Sequence, residues 1–409
     1  TWPSGFVWDG GSEPTLLQKA GGATLQGQTF KLITRDNGTT WYASEVNKHD
    51  QDSPFELWSW GYNNVGQLGL NNRTAYSSPV QVSGTDWTMI FKGYSTDHLV
   101  AQKQSGDTFT WGAGDDYRLG LGSQTRRSSP TQLPGSWFSA KPGGGWGAGV
   151  KTDGTLWAWG LNSRGQLGQN NRTTATEPVQ IPGTTWGTDT IDQLQANSAT
   201  LSCVKTDGTL WMMGYNGYGA LGQDHENDRS SPVQIPGSTW KEPIVIHSFS
   251  AGCTKTDGTL WVWGRNNYGQ LGLNSQTNYS SPKQIPGTTW KFARADQDAM
   301  LAVKTDGTMW AWGNNAQGQL GKNNQTSYSS PRQVGSDTTW VDVVVGTEGT
   351  VIANKNDGTL WGWGGGRQGE TGQNNTTYYS SPVQIPGTNW NTTTHGIQSI
   401  ASASFCLQE

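Results

Sequence analysis

KTDGTLWAWGLNSRGQLG, Lys151 to Gly168, recurs in close copies along almost the whole chain, and its reading decides the fold. Asp153-Gly154 is a two-residue turn signal, since Asp tolerates positive φ and Gly adopts it freely. Leu156, Trp157, Ala158 and Trp159 read as a strand that places its two indoles, two residues apart, on one face. Gly160 ends the strand, Asn162 bonds its own backbone in a turn, and Gly165 and Gly168 let the GQLG loop fold back.

Working outward, the Gly that closes each WxWG strand stands at Gly61, Gly112, Gly160, Gly214, Gly264, Gly313 and Gly364, a spacing of about fifty residues. Each unit adds a proline-led strand of the SSPVQIPG form, such as Ser231-Pro232, and proline suits a sheet edge where no ladder donor is lost. A further Trp follows each time, as at Trp137, Trp240 and Trp290, leading to two more short strands and the next turn. Four short strands per unit, none able to bury its faces alone, predict an all-β fold: a single β-propeller of four-stranded blades over residues 1–409.

The ends set the expected blade count. Residues 1–22 and 391–409 read as two half-blades that pair to form one closing blade, so that N- and C-terminal strands close the ring without free edges. Seven internal units plus this composite predict eight blades, with seven as the alternative. Within the first full repeat, residues 42–56 read as a charged excursion, and Lys48, His49 and Asp50 are its candidate contact residues.

Composition narrows function. The chain has 409 residues with 57 Gly and 23 Trp, a net charge of -4 and only 14% charged residues, which argues against an electrostatic nucleic-acid binder. No apolar run reaches the roughly 18 residues of a membrane span. The chain starts at Thr1 without an apolar leader, as expected of a processed or trimmed terminus. Histidines share no ligand spacing, no nucleophile elbow or phosphate loop is present, and the recurring Asp153, Asp207, Asp257, Asp306 and Asp357 are all turn residues. No metal, cofactor or catalytic residue is expected, and the chain reads as a non-enzyme. Cys203, Cys253 and Cys406 share one small apolar column of the repeat and read as buried thiols.

The DGTLWAWGxNxxGQLG core and the xxPxxI strand resemble the repeats of the regulator of chromosome condensation family, across essentially the whole chain. The resemblance implies a β-propeller, usually seven-bladed, whose members act as nucleotide-exchange factors, inhibitors or interaction scaffolds. In that family a His commonly stands seven residues before the turn; here His98 matches, and Trp146 is its counterpart in the next unit. The repeat style also resembles that of bacteriophage virion proteins.

Candidate contact positions are those that vary between copies: Tyr62, Arg164, Tyr218, Tyr268 and Gln317 beside the loop Asn. Trp58, Trp60, Trp157, Trp159, Trp211, Trp261, Trp263, Trp310, Trp312, Trp361 and Trp363 are read as structural, the mortar between blades. The lysines two residues before each turn, from Lys103 to Lys355, read as a basic rim of solvated strand ends. The functional expectation is an interaction or structural module on a virion or outside a cell, presenting loops to other virion proteins, a host receptor or a glycan. The alternatives are a protein-binding regulator of the exchange-factor or inhibitor type and a secreted glycan-binding lectin. Neither nucleic-acid binding nor membrane insertion is expected.

Overall fold

In the computed structural model the described residues are 30–34, 41–45, 55–91, 97–246, 249–296, 298–346, 349–367, 369–387, 390, 397–400 and 403–408. The chain divides into two compact units, Thr1–Ser53 and Pro54–Glu409. The described part of the first is an antiparallel hairpin of β1 (Phe30–Thr34) and β2 (Trp41–Glu45). The start of the expected 42–56 excursion is therefore strand. Lys48, His49 and Asp50 lie outside the described residues, as do 1–22.

The second unit is an all-β propeller. Each repeat folds as antiparallel strands in chain order, for example Trp240–Ile246, Ser250–Lys255, Leu260–Gly264 and Tyr279–Ile285, with the proline-led strand at the outer edge. Successive innermost strands lie against one another. Cys203 and Cys253 sit fully buried, and burial raises both thiols, Cys203 to about 12. The reading of eight blades, or seven, is not met: among the described residues of this unit there are six hydrogen-bonded sheets, five of four strands and one of seven.

One unbroken strand makes the wide sheet. Leu133-Pro134, Ile181-Pro182, Ile235-Pro236, Ile285-Pro286 and Ile385-Pro386 end the outer strand, because proline brings no N–H to a ladder. The first full repeat has Val82-Ser83-Gly84 and the sixth Val334-Gly335-Ser336 instead, and the sixth repeat's strand still stops at Gln333. After β3 (Phe55–Gly61), strand β4 runs on from Tyr76 to Ile90, with Phe55 pairing to Trp87, and two repeats share it as one sheet. Its first half pairs with β3 and its second with His98–Lys103.

Closure also differs from the expectation. The C-terminal strand Ala403–Gln408, backed by Ile397–Ile400, pairs with β3 rather than with the N-terminus. It completes the first full repeat's sheet. The seam is sealed by the last repeat's loop, where Trp60 Nε1 donates to the Glu370 carbonyl at 3.1 Å.

Candidate functional site

The repeat's conspicuous residues are consumed by the scaffold. At five turns the Asp carboxylate accepts from a Thr, as Asp153 Oδ1 does from Thr155 N (3.0 Å) and Oγ1 (2.6 Å). That hydroxyl in turn accepts from the first indole, Trp157 Nε1, at 2.8 Å. Four further repeats repeat the chain through Trp211, Trp261, Trp310 and Trp361. The Thr bonds hold these carboxyls below the ordinary Asp range.

The second indole does a different job from the first. Trp159 Nε1 donates to the Arg118 carbonyl of the preceding repeat at 2.9 Å, and Trp111, Trp263, Trp312 and Trp363 bond backward in the same way. The second indoles are fully buried between repeats, whereas the first, including Trp58, are only partly buried. Only one of each pair is mortar.

The basic residues are not a free rim. Lys255 Nζ sits 4.3 Å from the Trp240 ring centroid and 4.6 Å from that of Trp261, and Lys103, Lys151, Lys205, Lys304 and Lys355 sit over equivalent aromatic pairs. Such contacts contribute about 0.5–1 kcal/mol at exposed sites. The loop Asn is structural too: Asn162 Nδ2 donates to the carbonyls of Asn171 and Thr173, and its Oδ1 accepts from Leu167 N. Gly165, at φ +83°, lets this loop meet the next repeat; a Cβ there would stand 2.5 Å from Ser230 Cα.

Of the large apolar side chains exposed among the described residues, Tyr218, Tyr268 and Tyr378, the first two lie on one strip. Arg164, Tyr218 and Tyr268, from three successive loops, join Tyr215, Phe249 and Arg265. The Arg164 guanidinium carbon lies 5.0 Å from the Tyr215 ring, and Phe249 meets Tyr215 and Tyr218 edge-on at 5.7 and 5.6 Å. Arg265 stands over Phe249, Tyr218 and Tyr268 at 5.4, 5.8 and 5.8 Å. Tyr218 and Tyr268 are 39% and 41% exposed.

Carboxylates orient the strip from beside it. Asp228 takes Arg164 at 3.6 Å and Arg172 at 3.4 Å while accepting from Asn216 N. Asp298 accepts from Gln270 Nε2 at 2.7 Å; burial raises its carboxyl, against the pull of Arg265. Tyr215, Phe249 and Arg265 were missed in the sequence. Tyr215 and Arg265 directly follow the strand-closing Gly, the variable position that Tyr62 also occupies, so their signal was present.

The remaining candidates are placed elsewhere. Tyr62 is half-buried on its own loop. Gln317 gives its backbone N to Gln319. His98 is buried, and burial, then Arg118, holds its imidazole well below the usual range. Trp146 is buried, with Nε1 donating to the Asn197 and Ser198 carbonyls. Among the described residues no group of His, Cys, Asp or Glu is arranged to hold a metal, and no helix is long and apolar enough to cross a membrane.

The model of the regulator of chromosome condensation (RCC1) repeat matches residues 56–96, 105–139, 153–187, 207–256, 257–293 and 306–353. The chain belongs to the RCC1 repeat family. Among curated relatives of this RCC1-repeat chain, the Arabidopsis thaliana ultraviolet-B receptor UVR8 is 28% identical over 183 residues, 44% of this chain and 42% of the receptor. The human X-linked retinitis pigmentosa GTPase regulator is 25% identical, over 54% of this chain and 18% of the regulator. The matches thus span less than half of those relatives. Prp20p of Saccharomyces cerevisiae, whose structure was described with its binding to Gsp1p and histones, superposes with a TM-score of 0.77 at 16% identity, covering 89% of this chain and 95% of Prp20p. Human WBSCR16 gives 0.75 at 16% identity, covering 87% and 99%. These two likenesses concern the fold.

Proposed function

We propose that this RCC1-repeat propeller is a protein-interaction module that docks its partner on the strip of Arg164, Tyr215, Tyr218, Phe249, Arg265 and Tyr268. One observation carries the reading: Tyr and Arg side chains, the types that dominate interface hot spots, converge across three loops, with Arg164, Tyr218 and Tyr268 exposed and Tyr215, Phe249 and Arg265 half-buried beside them. The relatives named for regulation, and the Gsp1p and histone binding described for Prp20p, support a regulator of protein partners. Display on a virion or cell exterior, with a host receptor, glycan or virion protein as partner, rests on repeat style alone and is the finer alternative.

Tyr218→Ala/Tyr268→Ala tests it, since both side chains are exposed and their loss leaves the seams intact. Proteins captured by the wild type and lost from the double variant support the proposal; identical capture by both overturns it. A nucleotide-release assay with small GTPases and a glycan array, run on the same pair, distinguish the exchange-factor and lectin alternatives.

A further inference from the structure

A second site lies away from the Tyr/Arg strip, in the seam between the Trp240–Ile285 sheet and the sheet that follows it. The residue after the Gly that closes each loop lies beside this seam. Gln169, Gln223 and Gln373 each donate Nε2 to a carbonyl of their own repeat's outer strand, Gln180, Gln234 and Gln384, and Lys322 Nζ does the same to Gln333. Leu273 holds this position beside Gln284 and has no donor to give. There the seam holds a cleft of about 370 Å³ lined by Leu273, Pro286, Trp290, Lys304, Trp310 and Pro331. This volume falls at the low end of the roughly 300–1,000 Å³ of small-ligand sites.

Leu also fills this position at Leu70 and Leu121, and both of those seams contain an acid. In the first, Lys103 Nζ is paired with Asp86 Oδ1 at 2.8 Å. In the second, the strand Ser that faces the loop elsewhere is Glu177, whose Oε1 comes within 3.0 Å of where a Gly122 Cβ would be. The Leu273 seam has Ser330 at the Glu177 position, and the residue before Trp290 is Thr289 where Asp86 precedes Trp87. Lys304 Nζ rests over Trp290 and Trp310 at 4.8 and 4.2 Å, with no ion pair among the described residues. Asp306, two residues on, feels the Lys304 charge but spends its Oδ1 on Thr308 N and Oγ1. The cleft combines apolar walls with a cation that no described carboxylate pairs directly.

We propose that this cleft binds a carboxylate carried on a small apolar body, the carboxylate meeting Lys304 and the body packing on Trp310, Leu273 and the two prolines. A free aromatic acid and the C-terminal carboxylate of a partner ending in an apolar residue share this chemistry. Phenylacetate and the peptide acetyl-Gly-Phe, with a free C-terminus, are the two probes. They are titrated into the full chain carrying ¹⁵N-indole tryptophan, with equilibrium dialysis in parallel.

Saturable binding at about millimolar concentration is expected for a ligand of this size. Phenylacetamide, the uncharged analogue, should bind at least tenfold more weakly. Leu273→Gln replaces an apolar wall of the cleft with the side chain that three repeats already hold against their own outer strand, so it should fold and lose binding at least tenfold; Lys304→Met, which keeps the packing on the indoles, should do the same. Tighter binding of the peptide assigns the cleft to a partner's terminus, and tighter binding of phenylacetate assigns it to a free acid. The proposal is overturned if neither probe saturates, if the amide matches the acid, or if folded Leu273→Gln binds as the wild type does.

Discussion

Trp60 Nε1 donates to the carbonyl of Glu370, 310 positions along the chain, at 3.1 Å. The bond is the ring's closing stitch, and it has the form of every interior one: the second indole of a repeat reaching the carbonyl before the Leu-Gly, or Thr-Gly, that ends the preceding loop. Ser77 Oγ to Asn374 Oδ1, at 3.4 Å, adds a contact across the same seam. Trp60→Phe keeps most of the buried area and leaves a buried carbonyl without its donor, which costs about 1–3 kcal/mol. The expected result is a lower urea midpoint with an unchanged slope, matched by Trp312→Phe at an interior seam. A much larger loss at Trp60 alone would show that closure relies on more than this stitch.

One seam lacks the stitch. The unit LWMMG has Met213 where the others have the second indole, and Met213 Sδ stands 2.7 Å from a Cβ built on Gly168. Trp146 compensates from the other side, donating forward to the carbonyls of Asn197 (2.9 Å) and Ser198 (3.0 Å). Trp146→Phe should therefore destabilise by about 1–3 kcal/mol. Hydrogen exchange of the Thr200–Val204 and Leu210–Gly214 amides should accelerate more than that of amides in distant sheets. Uniform acceleration would show that Trp146 is not the local substitute.

Much of this scaffold was legible in the sequence because each repeat reports the same local chemistry: Asp-Gly turns, alternating strands, edge prolines. The six-sheet outcome was not read, because it depends on one strand, Tyr76–Ile90, running on into the next repeat with Phe55 paired to Trp87, a detail that averaging over repeats hides. The lysines were misjudged for a related reason, since their spacing is visible in sequence but the aromatic pairs beneath Lys205 or Lys304 come from separate strands. Arg164, Tyr218 and Tyr268 were singled out as variable loop residues; that they meet through Phe249, from a different turn, only the fold reveals. The charges of the innermost strands left no signal at all.

Those charges join distant strands. Asp192 receives Lys141 Nζ at 3.3 Å and Arg294 Nη2 at 2.8 Å, although the three residues come from three different sheets or their lead-in segments. Burial lowers the Lys141 ammonium, with Asp192 opposing, and Asp342 faces both cations. Asp192→Asn removes the shared anion from two buried cations and should cost about 3–5 kcal/mol. Replacing Lys141, Asp192 and Arg294 together by Met, Leu and Met should cost less than that single change. A single variant as stable as the wild type in thermal unfolding would show the cluster to be incidental.

The acid response should have two steps with the same sign. The buried imidazole of His98 is held well below 6.5, so the unfolded chain binds a proton that the folded chain refuses. Its contribution to stability is full above about pH 6.5 and is lost as pH falls from there toward the lowered folded value. The turn carboxyls of Asp153, Asp207, Asp257, Asp306 and Asp357 are held below their ordinary range chiefly by their Thr partners. Their contribution is present above about pH 3.9 and is lost as pH falls through the folded values. Melting temperature against pH should therefore decline gently below about 6.5 and more steeply below about 4. His98→Gln should flatten the first decline and spare the second, while Asp306→Asn with Asp357→Asn should soften the second and spare the first. If His98→Gln retains the full decline between pH 6.5 and 5, the imidazole is not what the folded state keeps neutral.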